Sequence, residues 1–189
     1  VRLTPKTQFF MSTQFNPDIH LNRDESEVSQ IQTIMQRLQK KMQHDRTVQQ
    51  TTDELRAFLQ VDRVVLYYFY KEWEGRVTFE SLSDRRFSIL GSTGPDQCFN
   101  EEYAALYLDG RVRAIANIET AEIAPCHRDF LRYLSVQANL VVPILTEKGL
   151  WGLLVAHHCQ ATRAWLPADI EEVKAGALNL STAPSIVGN

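Results

Sequence analysis

Leu140-Val141-Val142-Pro143-Ile144-Leu145, then Thr146-Glu147-Lys148-Gly149, then Leu150-Trp151-Gly152-Leu153-Leu154-Val155-Ala156-His157-His158 decides the fold class. Two apolar runs joined by four turn-forming residues predict a β-hairpin. Upstream, Pro125 opens a helix predicted over 126–135, and downstream Pro167 opens the last helix, with Ile170, Val173 and Leu178 on one face. Further upstream, Val64 to Tyr70 is β-branched and aromatic and reads as a central strand. Glu74-Gly75 turns into the alternating strand Arg76 to Glu80. Residues 83–97, with Gly91, Gly94 and Pro95, read as a long loop of the kind that often carries function. A helix over 99–107 ended by Asp109-Gly110 and a short strand over 112–118 complete the body. Helices at both ends of a hairpin-rich middle specify an α+β domain with an antiparallel sheet.

Before this body, Val28, Ile31, Met35, Leu38 and Met42 recur at helical spacing after Asp24, and Val48, Thr52, Leu55 and Leu59 mark a second helix that Asp45 caps. The chain divides into an N-terminal arm and helix over 1–44, a domain over 45–181 and a tail over 182–189 without periodicity. Residues 1–23 read as a loosely ordered arm. The helix from Asp24 to Met42 is where dimer or interdomain packing is expected.

The 189 residues suffice for one cored domain, and a net charge of -3 argues against nucleic-acid and membrane-surface partners. The basic run Arg37-Leu38-Gln39-Lys40-Lys41 reads as a solvated helix face. No apolar run reaches the roughly 18 residues of a membrane span. Cysteines at 98, 126 and 159, an odd count without a CxxC pair, speak against a disulfide framework and for a cytoplasmic, reducing setting. Cys159 reads as a small buried hydrophobe. Zinc through Cys126, His127, His157 and Cys159 fits no known ligand spacing. Cys98 at a helix start could act as a nucleophile, but Asp96 opposes its ionisation and no His partner is identifiable, so the chain does not read as an enzyme.

Ala124-Pro125-Cys126-His127, the run Val136 to Ile144, and Leu150 to His157 together resemble the bilin-binding GAF domain of phytochromes and cyanobacteriochromes. Asp96-Gln97-Cys98-Phe99 is similar to the DXCF motif of one cyanobacteriochrome subfamily. The resemblance covers roughly residues 45–180. It implies a GAF fold, a central antiparallel sheet flanked by helices, and a covalent linear tetrapyrrole, phycocyanobilin or its isomer phycoviolobilin.

By that resemblance Cys126 forms the thioether to ring A, and a helix N-terminus supplies a field that favours an anionic sulfur. His127 packs against the pyrrole rings, Asp96 accepts their N–H groups, and Arg111, with Arg113 as the weaker substitute, binds a propionate. His157 lies near ring D, and His158 points outward. Cys98 implies a second, reversible link to the bridge between rings B and C. The implied photoreceptor switches between a blue-absorbing dual-Cys state and a green- or orange-absorbing state by Z/E isomerisation at ring D. Gln97, where Pro is frequent, and Tyr103 depart from the pattern. Alternatives are a single-Cys photoreceptor with a longer-wavelength photocycle, or a non-photoactive GAF module for a small ligand. Neighbouring signalling domains of a longer protein are the expected partners.

Overall fold

The computed structural model describes residues 17–71, 73–94 and 101–188, with backbone alone at 17–27 and 101–104. The chain divides into two units, residues 1–34 and 35–189. Helix α1 runs Pro17–Met42, seven residues earlier than the capping signal at Asp24 suggests. Within the larger unit Met35, Leu38 and Met42 are buried, while Arg37, Lys40 and Lys41 face solvent as the charge pattern predicts. Val28 is exposed.

Helix α2 (Arg46–Leu59) is capped as expected: the Asp45 side chain accepts hydrogen bonds from Thr47 N and Val48 N. Its apolar stripe Val48, Leu55 and Leu59, with Thr51 and Thr52, is buried. The strands follow as β1 (Arg63–Lys71) and β2 (Glu74–Leu82), then α3 (Glu101–Leu108), β3 (Arg113–Ile115), α4 (Pro125–Tyr133), β4 (Ala138–Thr146), β5 (Gly149–His158) and α5 (Pro167–Leu180). All neighbours in the sheet are antiparallel, in the order β2-β1-β5-β4-β3.

Strand alternation gives this sheet two buried faces. Val64, Leu66, Leu140, Val142, Ile144, Leu154 and Ala156 point into one apolar cluster. Helices α2 and α5 pack on each other and cover this side through β1 and β4. The intervening residues Val65, Val141, Leu153 and Val155 point the other way. The β4–β5 hairpin closes with Gly149 at φ 108°, where an L side chain is strained. At Gly152 strand β5 runs so close to β1 that a Cβ would meet Tyr67 O at 2.0 Å, so only glycine fits.

Three sequence expectations change. The tail is not featureless: Pro184–Val187 form a helical turn, α6, with Ile186 buried in the main cluster, and Ser185 N donates to Asp45 Oδ2 at 2.8 Å. Four residues are too few for a periodicity to show. On α5 the buried stripe is Val173, Ala177 and Leu180, whereas Leu178 is exposed, one position off the stripe. The short strand is confined to Arg113–Ile115, because the chain then leaves β4 for the loop that packs under α4.

Candidate functional site

On the sheet face away from α2 and α5 lies a cleft with a cavity volume of about 90 Å³. It is a small slot lined mainly by apolar side chains, below the roughly 300–1,000 Å³ usual for small-ligand sites. The floor is the sheet: Tyr67, Asn139, Val141, Leu153 and His157. Arg113, on edge strand β3, forms part of the wall.

Helix α4 supplies the facing wall with His127, Phe130, Leu131 and Leu134. Pro125 starts the helix without a side-chain cap, so its first N–H groups have no acceptor within the helix. Arg128 fixes its position, Nε donating to Ile118 O at 2.9 Å and an Nη to Ala121 O at 2.7 Å. Leu131 and Leu134 pack beside Ile115, Ile118 and Val136. Cys126 is exposed at this helix start, one residue before His127. It is disulfide-bonded, whereas Cys159 is free and buried. That bond departs from the cysteine-count expectation.

His127 is half-buried, and burial, reinforced by the positive charge of Arg113, pushes its pKa below the usual imidazole value. His157 is buried, and burial together with Arg63 holds it neutral far below that value. Arg113 donates to Glu122 O at 3.0 Å, and its Nε is buried with no partner among the described residues. Arg111 is half-buried just before β3 and does not line the cleft. His158 lies on the alternate side of β5, with Nδ1 at 3.2 Å from Asp62 Oδ2. Asp96 and Cys98 lie outside the described residues. Ser92, Thr93 and Gly94, which immediately precede that segment, line the cleft. Gly94 N donates to Tyr67 Oη at 2.9 Å, and a Cβ there would meet that oxygen at 2.6 Å.

Four lining or supporting residues were not singled out by sequence reading. Arg63 is buried on the same face of the sheet, beside His157, and donates through Nε to His157 Nδ1 at 2.8 Å. Asn139 is buried and pairs in register with His157 across the sheet, its Oδ1 without a partner among the described residues. Trp73 lines the cleft from the β1–β2 turn at φ 63°, its indole N–H buried without a partner among the described residues. Tyr67 completes the floor beside Phe69, ring centroids 5.3 Å apart. The available signal was polarity at odd positions: Arg63, Asn139 and His157 stand where alternation demands apolar side chains.

Residues 43–183 match the GAF domain family. The chain belongs to that family. An uncharacterized protein of Picosynechococcus is 49% identical to this GAF domain over 148 residues, 78% of the chain and 91% of that protein. A putative methyl-accepting chemotaxis protein of Synechocystis is 40% identical over 118 residues, 62% of the chain but 12% of its own length. Among solved structures, the blue-light absorbing form of the Thermosynechococcus elongatus PixJ GAF domain is 33% identical with a TM-score of 0.62, covering 70% of this chain and 84% of that one. The phycocyanobilin-bound GAF domain of a cyanobacterial phytochrome is 26% identical with a TM-score of 0.63, covering 89% and 93%. The GAF fold expected from the sequence, a central antiparallel sheet flanked by helices, is the fold observed, with five strands in the sheet.

Proposed function

We propose that this GAF domain is a photoreceptor module that holds a linear tetrapyrrole in the slot between the sheet and α4, tethered through Cys126. The observation that carries the reading is the helix start that puts an exposed cysteine one residue before a half-buried histidine that lines the slot and whose pKa is lowered by burial. One of the similar structures is a blue-light absorbing form and another is phycocyanobilin-bound. The residues present suit such a group. A flat slot with aromatic and aliphatic walls accepts a conjugated system. The unpartnered Arg113 Nε offers a charge-assisted bond to a propionate, and the unpartnered Asn139 Oδ1 accepts an N–H.

The bound pigment would supply light absorption and a photoisomerisable double bond near ring D. The chain's own residues supply the rest. Cys126, once reduced, offers the sulfur for a thioether. His127 packs as a neutral imidazole against the ring system. Arg113, rather than Arg111, stands in the wall where a propionate would be held. His157 faces the slot from the floor. Asp96 and Cys98 are proposed from the motif alone: Asp96 as the acceptor for pyrrole N–H groups, Cys98 as the second, reversible thiol that marks the DXCF subfamily and its blue-absorbing state. Phycocyanobilin or phycoviolobilin is the proposed pigment. A cytoplasmic location, non-enzymatic action and coupling to further signalling domains belong to the same proposal; no described helix is long and apolar enough to cross a membrane.

The test is co-expression with a bilin-producing pathway under reducing conditions, followed by a denaturing gel stained with zinc for bilin fluorescence. The parent chain is expected to fluoresce and Cys126→Ala to lose the band. A Cys126→Ala protein with full covalent fluorescence overturns the assignment.

A further inference from the structure

We infer that Arg63 is a positioning residue: it fixes the proton of His157 on Nε2, so that the floor of the cleft presents a permanent N–H donor. The guanidinium has five N–H groups and no acceptor. Its Nε lies 2.8 Å from His157 Nδ1, which must therefore be the unprotonated, accepting nitrogen. A neutral imidazole carries its one proton on the other nitrogen.

The lock is rigid because Arg63 is itself held on three sides. Besides His157, one Nη donates to Phe87 O at 2.8 Å and the other to Leu134 O at 2.7 Å. Phe87 belongs to the loop after β2 and Leu134 to the end of α4, so two elements that frame the cleft converge on one side chain. Arg63 and His157 are also register partners on β1 and β5, and Asn139 on β4 continues the same row. The ionisable groups acting on this guanidinium are Asp62, Glu80 and Cys159, and on the cleft side the charged neighbours are Arg113 and His127. None of them hydrogen-bonds to His157 in place of Arg63. The ring thus has no route to the Nδ1–H tautomer or to the imidazolium without loss of the Arg63 bond.

The inference rests on the tetrapyrrole reading only for what meets the donor, an acceptor such as a lactam carbonyl or a carboxylate. The lock belongs to the pigment-free chain and is tested there. Histidine-selective ¹⁵N labelling and a two-bond ¹⁵N–¹H correlation, with His157 assigned by its absence in His157→Gln, reads the tautomer directly. The parent chain is expected to show protonated Nε2 and bare Nδ1 without change between about pH 5 and 8, the interval in which an ordinary imidazole titrates. Arg63→Met is expected to admit the other tautomer or a titrating ring, and Arg63→Lys, which keeps a cationic donor, to restore the parent pattern. An Nδ1–H signal in the parent chain, which needs no variant to fold, overturns the inference. So does an Arg63→Met spectrum identical to the parent. In pigment-loaded protein, Arg63→Met should shift the absorption maximum while covalent loading persists; an unshifted maximum counts against the positioning role. A chain that takes no pigment at all would sink the tetrapyrrole reading and leave the tautomer measurement standing.

Discussion

The two faces of the sheet are built from the same strands and differ in one respect. The face under α2 and α5 is filled with aliphatic side chains, among them Val64, Leu66, Leu140, Ile144 and Leu154. The face under α4 interrupts a similar aliphatic set with Arg63, Asn139 and His157, all buried. Burying polar groups costs free energy unless they are bonded, and Asn139 Oδ1 has no partner among the described residues. The first face is organised to hold the domain together. The second keeps unmet hydrogen-bonding capacity against a cleft, which is the arrangement of a site.

That contrast predicts different consequences for equally buried substitutions. Leu154→Ala on the helix side should cost the most, about 3–4 kcal/mol of unfolding free energy, as a core cavity does. Its pigment absorption should be unchanged in protein that remains folded. Urea unfolding and a spectrum measure the two quantities; a shifted spectrum would blur the distinction between faces.

Arg63→Met on the cleft side should cost less, about 2 kcal/mol. It orphans the Phe87 and Leu134 carbonyls, which destabilises, but it also removes a charge whose burial was itself unfavourable. Chemical denaturation at neutral pH measures the loss. A cost above that of Leu154→Ala would show that the cleft face also carries the main stability of the domain.

The third prediction concerns pH. His157 and His127 both have folded pKa values below that of a free imidazole, through burial and then through Arg63 and Arg113 respectively. In the unfolded chain each takes up a proton near about pH 6.5. The unfolded state therefore binds more protons below that value. Their contribution is complete above about pH 6.5 and is lost as pH falls beneath it, with a slope of at most about 1.4 kcal/mol per unit for each ring. Unfolding curves at neutral and mildly acidic pH should show the decline, and His157→Gln should flatten it. An equal slope in that variant would mean that the acid sensitivity arises elsewhere.

The smallest effect is expected for Cys159→Ala. This buried thiol, its pKa raised first by desolvation, packs as a small hydrophobe. A loss below about 1 kcal/mol and an unaltered pigment yield are expected, the yield being read from the zinc-stained gel. A large fall in yield would place a third cysteine in the chemistry.

Much of this was legible in the residues. The hairpin around Thr146–Gly149, the cap at Asp45 and the proline-opened helices at 125 and 167 all follow from local rules, and the structure follows them. Cys126 and His127 were legible as a pair at a helix start. The slot itself was less so. Arg63 fell one residue before the strand read as starting at Val64, and its partners Phe87 O and Leu134 O are backbone atoms 24 and 71 positions away. No local pattern announces such bonds. Spacing from Asp109-Gly110 singled out Arg111, and that Arg113 on the edge strand lines the cleft was not visible in it. Asn139 was visible only as a polar residue in an apolar run. Its meaning needed the register that pairs it with His157.

The claim that the polar face is a light-sensing tetrapyrrole site is tested most directly by the absorption spectrum of the bilin-loaded chain before and after illumination. The account predicts a coloured protein whose blue band is replaced under blue light by a green- to orange-absorbing band and returns on the reverse illumination. A colourless protein, or a coloured one whose spectrum light does not change, would contradict it.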